Sequence, residues 1–239
     1  MKHKKPAFTM IELVFVIVVM GILAAMAMPR MERDLRQEAA DNVLSAIRFT
    51  QHMALMDNVE RPGTNTWQKA FWRFGKEGCS DNGIFYYVGS DKDMGGGIGI
   101  VGSGAGIGEA AIDPSNGNWM MGLNSANCET DLSGQVFTGG TTASNRPASK
   151  NIFLTKLYGI SEGKMLFSSS CRTAANGKTG HIAFDYLGRP HSGITALTAP
   201  DYSKLMTTDC NVTLGFEDTS IPNVIITIEK ETGRVFIAN

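Results

Sequence analysis

Three short fragments of the chain carry residue types that could do acyl-transfer chemistry. Ser161-Glu162-Gly163-Lys164 fits S-x-x-K, Ser80-Asp81-Asn82 fits S-D-N and Lys178-Thr179-Gly180 fits K-T-G, the three signatures of serine penicillin-binding enzymes. Their order along the chain is wrong, because S-D-N should lie between the other two. The serine should also open a helix, whereas Ser161-Glu162-Gly163 reads as a turn. Gly97-Ile98-Gly99-Ile100-Val101-Gly102 satisfies G-x-G-x-x-G, but a dinucleotide site needs a helix next and more glycine follows. Asp91-Lys92-Asp93-Met94-Gly95 hints at a calcium loop and lacks the later ligands and the bidentate Glu. His3, His52, His181 and His191 stand apart, without a carboxylate or nucleophile motif. No catalytic constellation, metal site or cofactor is expected.

The four cysteines, Cys79, Cys128, Cys171 and Cys210, form no C-x-x-C pair and have no histidine cluster near them, which disfavours zinc. Widely spaced and even in number, behind a hydrophobic N-terminal segment, they read as two disulfides in an oxidising compartment. Three pairings are open. Cys79–Cys128 with Cys171–Cys210 is preferred, because neighbouring segments of a meandering sheet lie side by side.

The remaining chemistry sits at the N-terminus. From Phe8 to Met28 only Thr9 and Glu12 are clearly polar, and a helix of that length just spans a hydrocarbon core of ~30 Å. Lys2, Lys4 and Lys5 precede it, so the positive-inside rule keeps the N-terminus cytoplasmic. A cleaved secretory signal with Ala25-Met26-Ala27 at its end fits loosely, but the apolar run is too long and contains Glu12. A plain anchor fits the length and has no use for a carboxylate in lipid. The stretch Lys4-Lys5-Pro6-Ala7-Phe8-Thr9-Met10-Ile11-Glu12-Leu13 resembles the prepilin processing motif of type IV pilins and type II secretion pseudopilins.

That resemblance implies cleavage by prepilin peptidase between Ala7 and Phe8, N-methylation of Phe8, and Glu12 as the fifth mature residue. Pro29 matches a proline at which the family's helix kinks. The residue before the cut is usually Gly and here is Ala7, the next smallest side chain. A free amine at Phe8 and a carboxylate at Glu12 are both costly in lipid when unpaired. If Glu12 of one subunit meets the Phe8 amine of its neighbour, each gains a partner. Snorkelling of Glu12 to the headgroups is the alternative for an isolated subunit.

The elements around these residues follow from periodicity. Leu35, Ala39, Val43 and Ile47 recur at four-residue spacing, with Ala46, Met53 and Ala54 extending the stripe, and Arg36, Asp41, Ser45 and Arg48 on other faces. Pro62-Gly63 marks the end, so the helix should reach about Asp57. Joined to the apolar run it makes one helix of ~50 residues, roughly 75 Å long. Strands are expected at 69–74, 84–88, 151–157, 165–169, 181–186 and 212–216. A hairpin should join 224–228 to 234–237 through Glu231-Thr232-Gly233. The expected fold is α+β and pilin-like: a long N-terminal helix, membrane-spanning in its first half, packed on an antiparallel β-sheet head. The expected divisions are leader 1–7, transmembrane and assembly helix 8–29, amphipathic continuation 30–58 and periplasmic head 59–239. Phe184-Asp185-Tyr186-Leu187-Gly188-Arg189-Pro190 and the terminal Glu231-Thr232-Gly233-Arg234-Val235 look like features of minor pseudopilin heads. Met94 to Gly108 is low in complexity and reads as a flexible loop.

The chain has 239 residues, 43% hydrophobic and 19% charged, with 27 glycines and a net charge of −1. That balance suits one loop-rich domain and disfavours nucleic acid as a partner. The resemblance implies a structural subunit of a type II secretion pseudopilus, a minor one on the size of its head, placed single-pass in the inner membrane. Other pilin-like subunits, prepilin peptidase and an inner-membrane assembly platform would be its partners. The rivals are a minor pilin of a type IV pilus or DNA-uptake machine, a membrane-anchored periplasmic enzyme, and a soluble periplasmic binding protein released after Ala27.

Overall fold

A computed structural model describes residues 9–57, 64–92, 94, 98, 109–122, 128, 147–173 and 180–238, and the side chains of 24–34 fall outside the described set. The first element, α1, is a single α-helix over Met10–Met56, including Pro29. Asp57 caps its end and accepts a 2.8 Å hydrogen bond from the Trp72 indole, which ties the helix terminus to the first strand. Two antiparallel sheets follow, not the single one expected. The first takes β1 (Trp72–Gly78), β2 (Ile84–Ser90), β4 (Arg172–Thr173) and β5 (Gly180–Phe184) in the order β2-β1-β5-β4, with β6 (Pro190–His191) on β5. The second takes β3 (Met165–Phe167), β7 (Cys210–Leu214), β8 (Val224–Ile228) and β9 (Val235–Ala238) in the order β3-β7-β8-β9.

The stripe on α1 is buried as its spacing requires. Ala39, Val43, Ala46, Ile47 and Ala54 are all nearly inaccessible and share one core with Phe74 and Phe184 of the first sheet and Ile226 and Val235 of the second. Small residues at 39, 46 and 54 let the helix backbone come close, while Val43 and Ile47 fill the space between. Arg36 and Arg48, expected to point elsewhere, instead hold the helix down. Arg36 donates to the carbonyls of Pro222 and Asn223 at 3.0 and 3.2 Å, and Arg48 donates to that of Val235 at 2.8 Å. The Val235 carbonyl lies on edge strand β9, so Arg48 also satisfies a group that an open edge would leave exposed.

Gln51 makes the third attachment. Its Nε2 donates to Gly188 O at 2.8 Å and to Thr232 O at 3.2 Å, so the turn after β5 and the β8–β9 hairpin meet on the helix. Gly233 has φ +68°, and a Cβ there would lie 2.3 Å from Gly188 O. Gly233→Ala therefore combines a left-handed backbone with a clash against main chain. It should cost about 2–4 kcal/mol, read as a lower denaturant midpoint with an unchanged slope.

Two strand expectations are corrected. Residues 69–74 open with a 3-10 turn, Trp67–Ala70, and the strand begins only at Trp72. Residues 151–157 form no strand: a 3-10 turn, Lys150–Ile152, leads into the short helix α2, Leu154–Tyr158. Ser149 caps the first by accepting from Asn151 N, and Gly159, at φ 64°, ends the second. Ile152-Phe153-Leu154 is a short apolar run bounded by polar residues, and periodicity alone does not distinguish strand from buried turn there. Among the described residues no helix is long and apolar enough to cross a membrane. Described side chains of the apolar run stop at Leu23, short of the ~20 residues a span needs.

Two disulfides are present, Cys79–Cys128 and Cys171–Cys210, closing separations of 49 and 39 residues. The pairing is the preferred one, but its geometry is not that of neighbours in one sheet. Cys171 directly precedes β4 of the first sheet and Cys210 opens β7 of the second, so this bond joins the two sheets.

Candidate processing and assembly site

Ala7 and Phe8 lie outside the described residues, and the site begins for the structure at Thr9. Thr9 is the N-cap of α1 and Glu12 its third helical residue, which is the spacing a capping box uses. Glu12 Oε2 accepts from the Thr9 backbone N–H at 2.8 Å and from the Thr9 hydroxyl at 2.7 Å. Thr9 Oγ1 accepts in return from Glu12 N at 3.4 Å. The first N–H groups of a helix need partners from outside its own ladder, and the Thr9–Glu12 pair supplies them for the N–H groups of Thr9 and Glu12. The carboxylate that looked out of place thus has a local partner, at a Thr-x-x-Glu spacing already present in the sequence.

On both sides of Glu12, from Met10 to Leu23, the described helix surface is apolar and exposed. Met10, Ile11, Phe15, Ile17 and Met20 are each more than 60% exposed, and Leu13, Val14, Ile22 and Leu23 more than half exposed. An apolar face of this extent marks a site of contact with a partner or with lipid.

None of the catalytic fragments assembles. Ser161 donates to the Glu217 carboxylate, and Lys164 closes a turn by donating its backbone N–H to Ser161 O. Ser80-Asp81-Asn82 is the β1–β2 turn, with Asn82 at φ 62°. Lys178 and Thr179 lie outside the described residues, as do all of 97–102 except Ile98. Asp91 of the calcium-like stretch is buried 3.4 Å from the Arg73 guanidinium, and Asp93 and Gly95 lie outside the described residues. Among the described residues one group of potential metal ligands is found, Cys79, Asp81 and Cys128. Its two thiols are spent in the disulfide.

The expectation that the histidines stand apart from any carboxylate fails at His191. Its Nε2 lies 3.0 Å from Asp185 Oδ2, and both residues are buried. Asp185 also accepts from the backbone N–H groups of Leu187 and Arg189 and from Arg189 Nε at 2.8 Å. Burial pushes this carboxyl up, but the hydrogen bonds from His191 and Arg189 hold it below the usual carboxylate range. The arrangement is a turn-forming node that fixes Gly188 where Gln51 reaches it.

A second polar node, missed by the sequence reading, surrounds Asp113. Its Oδ1 accepts from Ser115 N and Oγ at 2.8 and 2.7 Å, and its Oδ2 from Ser149 at 2.5 Å and Asn151 Nδ2 at 3.0 Å. The Asp113-Pro114-Ser115 signal for an Asx turn was there to be read. Burial raises this carboxyl, but Ser149, Ser115 and Asn151 together hold it below its ordinary value. A carboxyl lowered in the fold stabilises above its unfolded value and loses that contribution as pH falls through the folded one. Asp113→Ala should cost about 1–3 kcal/mol at neutral pH, and urea titrations should show the difference from the parent shrinking below about pH 4.

Residues 2–28 match the prokaryotic N-terminal methylation motif, the signature of type IV pilins and pseudopilins. The motif supports a type IV pilin-like substrate of prepilin peptidase and implies assembly with other pilin subunits. It points to a structural protein. No curated protein and no solved structure matches the chain.

Proposed function

We propose that this chain is a structural subunit of a type II secretion pseudopilus, a minor pseudopilin with a large periplasmic head. Residues 1–7 are the leader, 8–29 the membrane and assembly segment, 30–58 the amphipathic continuation and 59–239 the head. The chain enters the inner membrane with its N-terminus cytoplasmic, is cut between Ala7 and Phe8, and is methylated on the Phe8 amine. Pro29 is where the helix bends or loosens on leaving the bilayer for the filament. Glu12 then pairs with the Phe8 amine of a neighbour. One observation supports the reading: the methylation motif runs into a helix whose described apolar side chains, from Met10 to Leu23, are exposed.

The α+β head, with its helix pinned by Arg36, Arg48 and Gln51, suits a pilin-like subunit that must carry force from membrane to periplasm. The terminal hairpin offers little to nucleic acid. Arg234 stacks over Phe236, 5.1 Å from the ring centroid, and lies 3.7 Å from Glu229. Deleting the gene should abolish secretion of type II substrates into the medium, and the wild-type chain should restore it. Normal secretion with lost surface piliation or DNA uptake would assign the subunit to a pilus or uptake machine instead.

A further inference from the structure

A cleft of about 270 Å³ opens between α1, β2 and the segment 113–120, with Ala46, Tyr86, Asp113 and Met120 as its buried floor. That is below the ~300 Å³ at which pockets for drug-sized molecules begin, and it suits one long side chain. Two groups on the floor are unspent. Tyr86 is 3% exposed, yet among the described residues its hydroxyl forms no hydrogen bond, and the residue lines the cleft. Buried hydroxyls are normally bonded, and the cleft is where a partner can reach this one. Burial first, and the Asp113 charge second, push that hydroxyl far up, so it stays neutral. Asp113 is the second group. Its oxygens accept from Ser115 N and Oγ, Asn116 Nδ2, Ser149 Oγ and Asn151 Nδ2, all neutral donors. Against the upward push of burial those bonds keep it ionised at neutral pH. No lysine, arginine or histidine lines the cleft to balance the charge.

These groups select the occupant. A carboxylate has about four lone-pair sites, so Asp113 is saturated and has nothing to offer another hydroxyl or amide donor. Its field remains, and across a poorly solvated floor it favours a cation. The acceptors left open are the Tyr86 hydroxyl and Asn42 Oδ1, which is buried without a partner on a residue lining the same cleft. Phe49 adds an aromatic side chain, and Ala46 and Met120 are apolar. Such walls suit the methylene stem and flat, weakly hydrated face of a guanidinium better than a compact, strongly hydrated ammonium. We infer that the cleft receives an arginine side chain from a partner protein, with its guanidinium toward Tyr86 and Asp113 and its stem against Met120. Ser45 of α1 stands exposed at the rim, where it can bond to the backbone that presents the arginine.

The test uses the full chain in detergent micelles with its methionine methyl groups labelled with carbon-13, and Met120→Leu identifies the Met120 signal. Titration with N-acetylarginine amide should shift that signal saturably, with a Kd of about 1 mM. The neutral isostere N-acetylcitrulline amide should bind about tenfold more weakly. Tyr86→Phe removes a hydroxyl that holds nothing else in the fold. It should weaken arginine binding about tenfold and leave the denaturant midpoint where it was. A Met120 signal that never shifts, equal affinity for citrulline, or parental affinity in Tyr86→Phe would each overturn the inference. Agmatine, a guanidine without a peptide unit, separates the possible sources. It should bind no tighter than the blocked arginine, and tighter binding would assign the cleft to a free small cation and overturn the partner. A head that ignores arginine leaves the proposed function standing, whereas an uncleaved chain defeats that function and not this site.

Discussion

Glu12→Ala should give a chain that inserts and is cleaved but is absent from sheared filaments. The structure adds a complication, because Glu12 has two jobs in the proposed account. In the isolated chain Oε2 closes the capping box with Thr9. In the filament the charge would answer a neighbour's amine. Glu12→Gln separates them, since glutamine at the third helical position still completes a capping box but carries no charge. Both variants should fail to assemble while cleaved product accumulates in the membrane. Assembly by the Gln variant alone would show that helix capping, not charge pairing, is what the filament needs. Incorporation of the Ala variant at parental levels would leave Glu12 without an assembly role.

The largest loss of stability should follow removal of both disulfides. In the chain-entropy account each loop, of 49 and 39 residues, contributes about 4 kcal/mol. A domain of this size has a total stability of about 5–15 kcal/mol. Cys171→Ser with Cys210→Ser alone should lower stability by about 4 kcal/mol, because that bond holds the two sheets together where β4 and β7 begin. All four Cys→Ser changes together should leave a head that is protease-sensitive at growth temperature. Thermal unfolding with and without reductant measures both effects. A head whose midpoint is indifferent to reduction would show that the core alone supports it.

How much of this was legible beforehand depended on how local the signal was. The processing segment, the helix end near Asp57 and the hairpin at Val224–Ile228 were readable, because basic residues, a periodic stripe and a glycine turn each act over a few residues. Gly233 takes its positive φ as the turn required, and Glu231 shares it at φ 64°. The division into two sheets was not readable, since it depends on which strands pair across more than a hundred residues, as β1 does with β5. The polar nodes failed for a related reason. Asp113 is held by Ser149 and Asn151, and the core fold alone brings those together. His191 was a nearer miss: Asp185 is six residues away, within the stretch 184–190 that resembles minor pseudopilin heads. In each case the residue types were right for a bond, and the distance was set by tertiary packing.

The central claim is that this chain is a processed pilin-like subunit. Intact-mass and N-terminal analysis of the protein extracted from membranes tests that most directly. The expected product begins at Phe8, carries one N-methyl group and retains both disulfides. A chain that begins at Met28, or one that keeps its first seven residues, would contradict it.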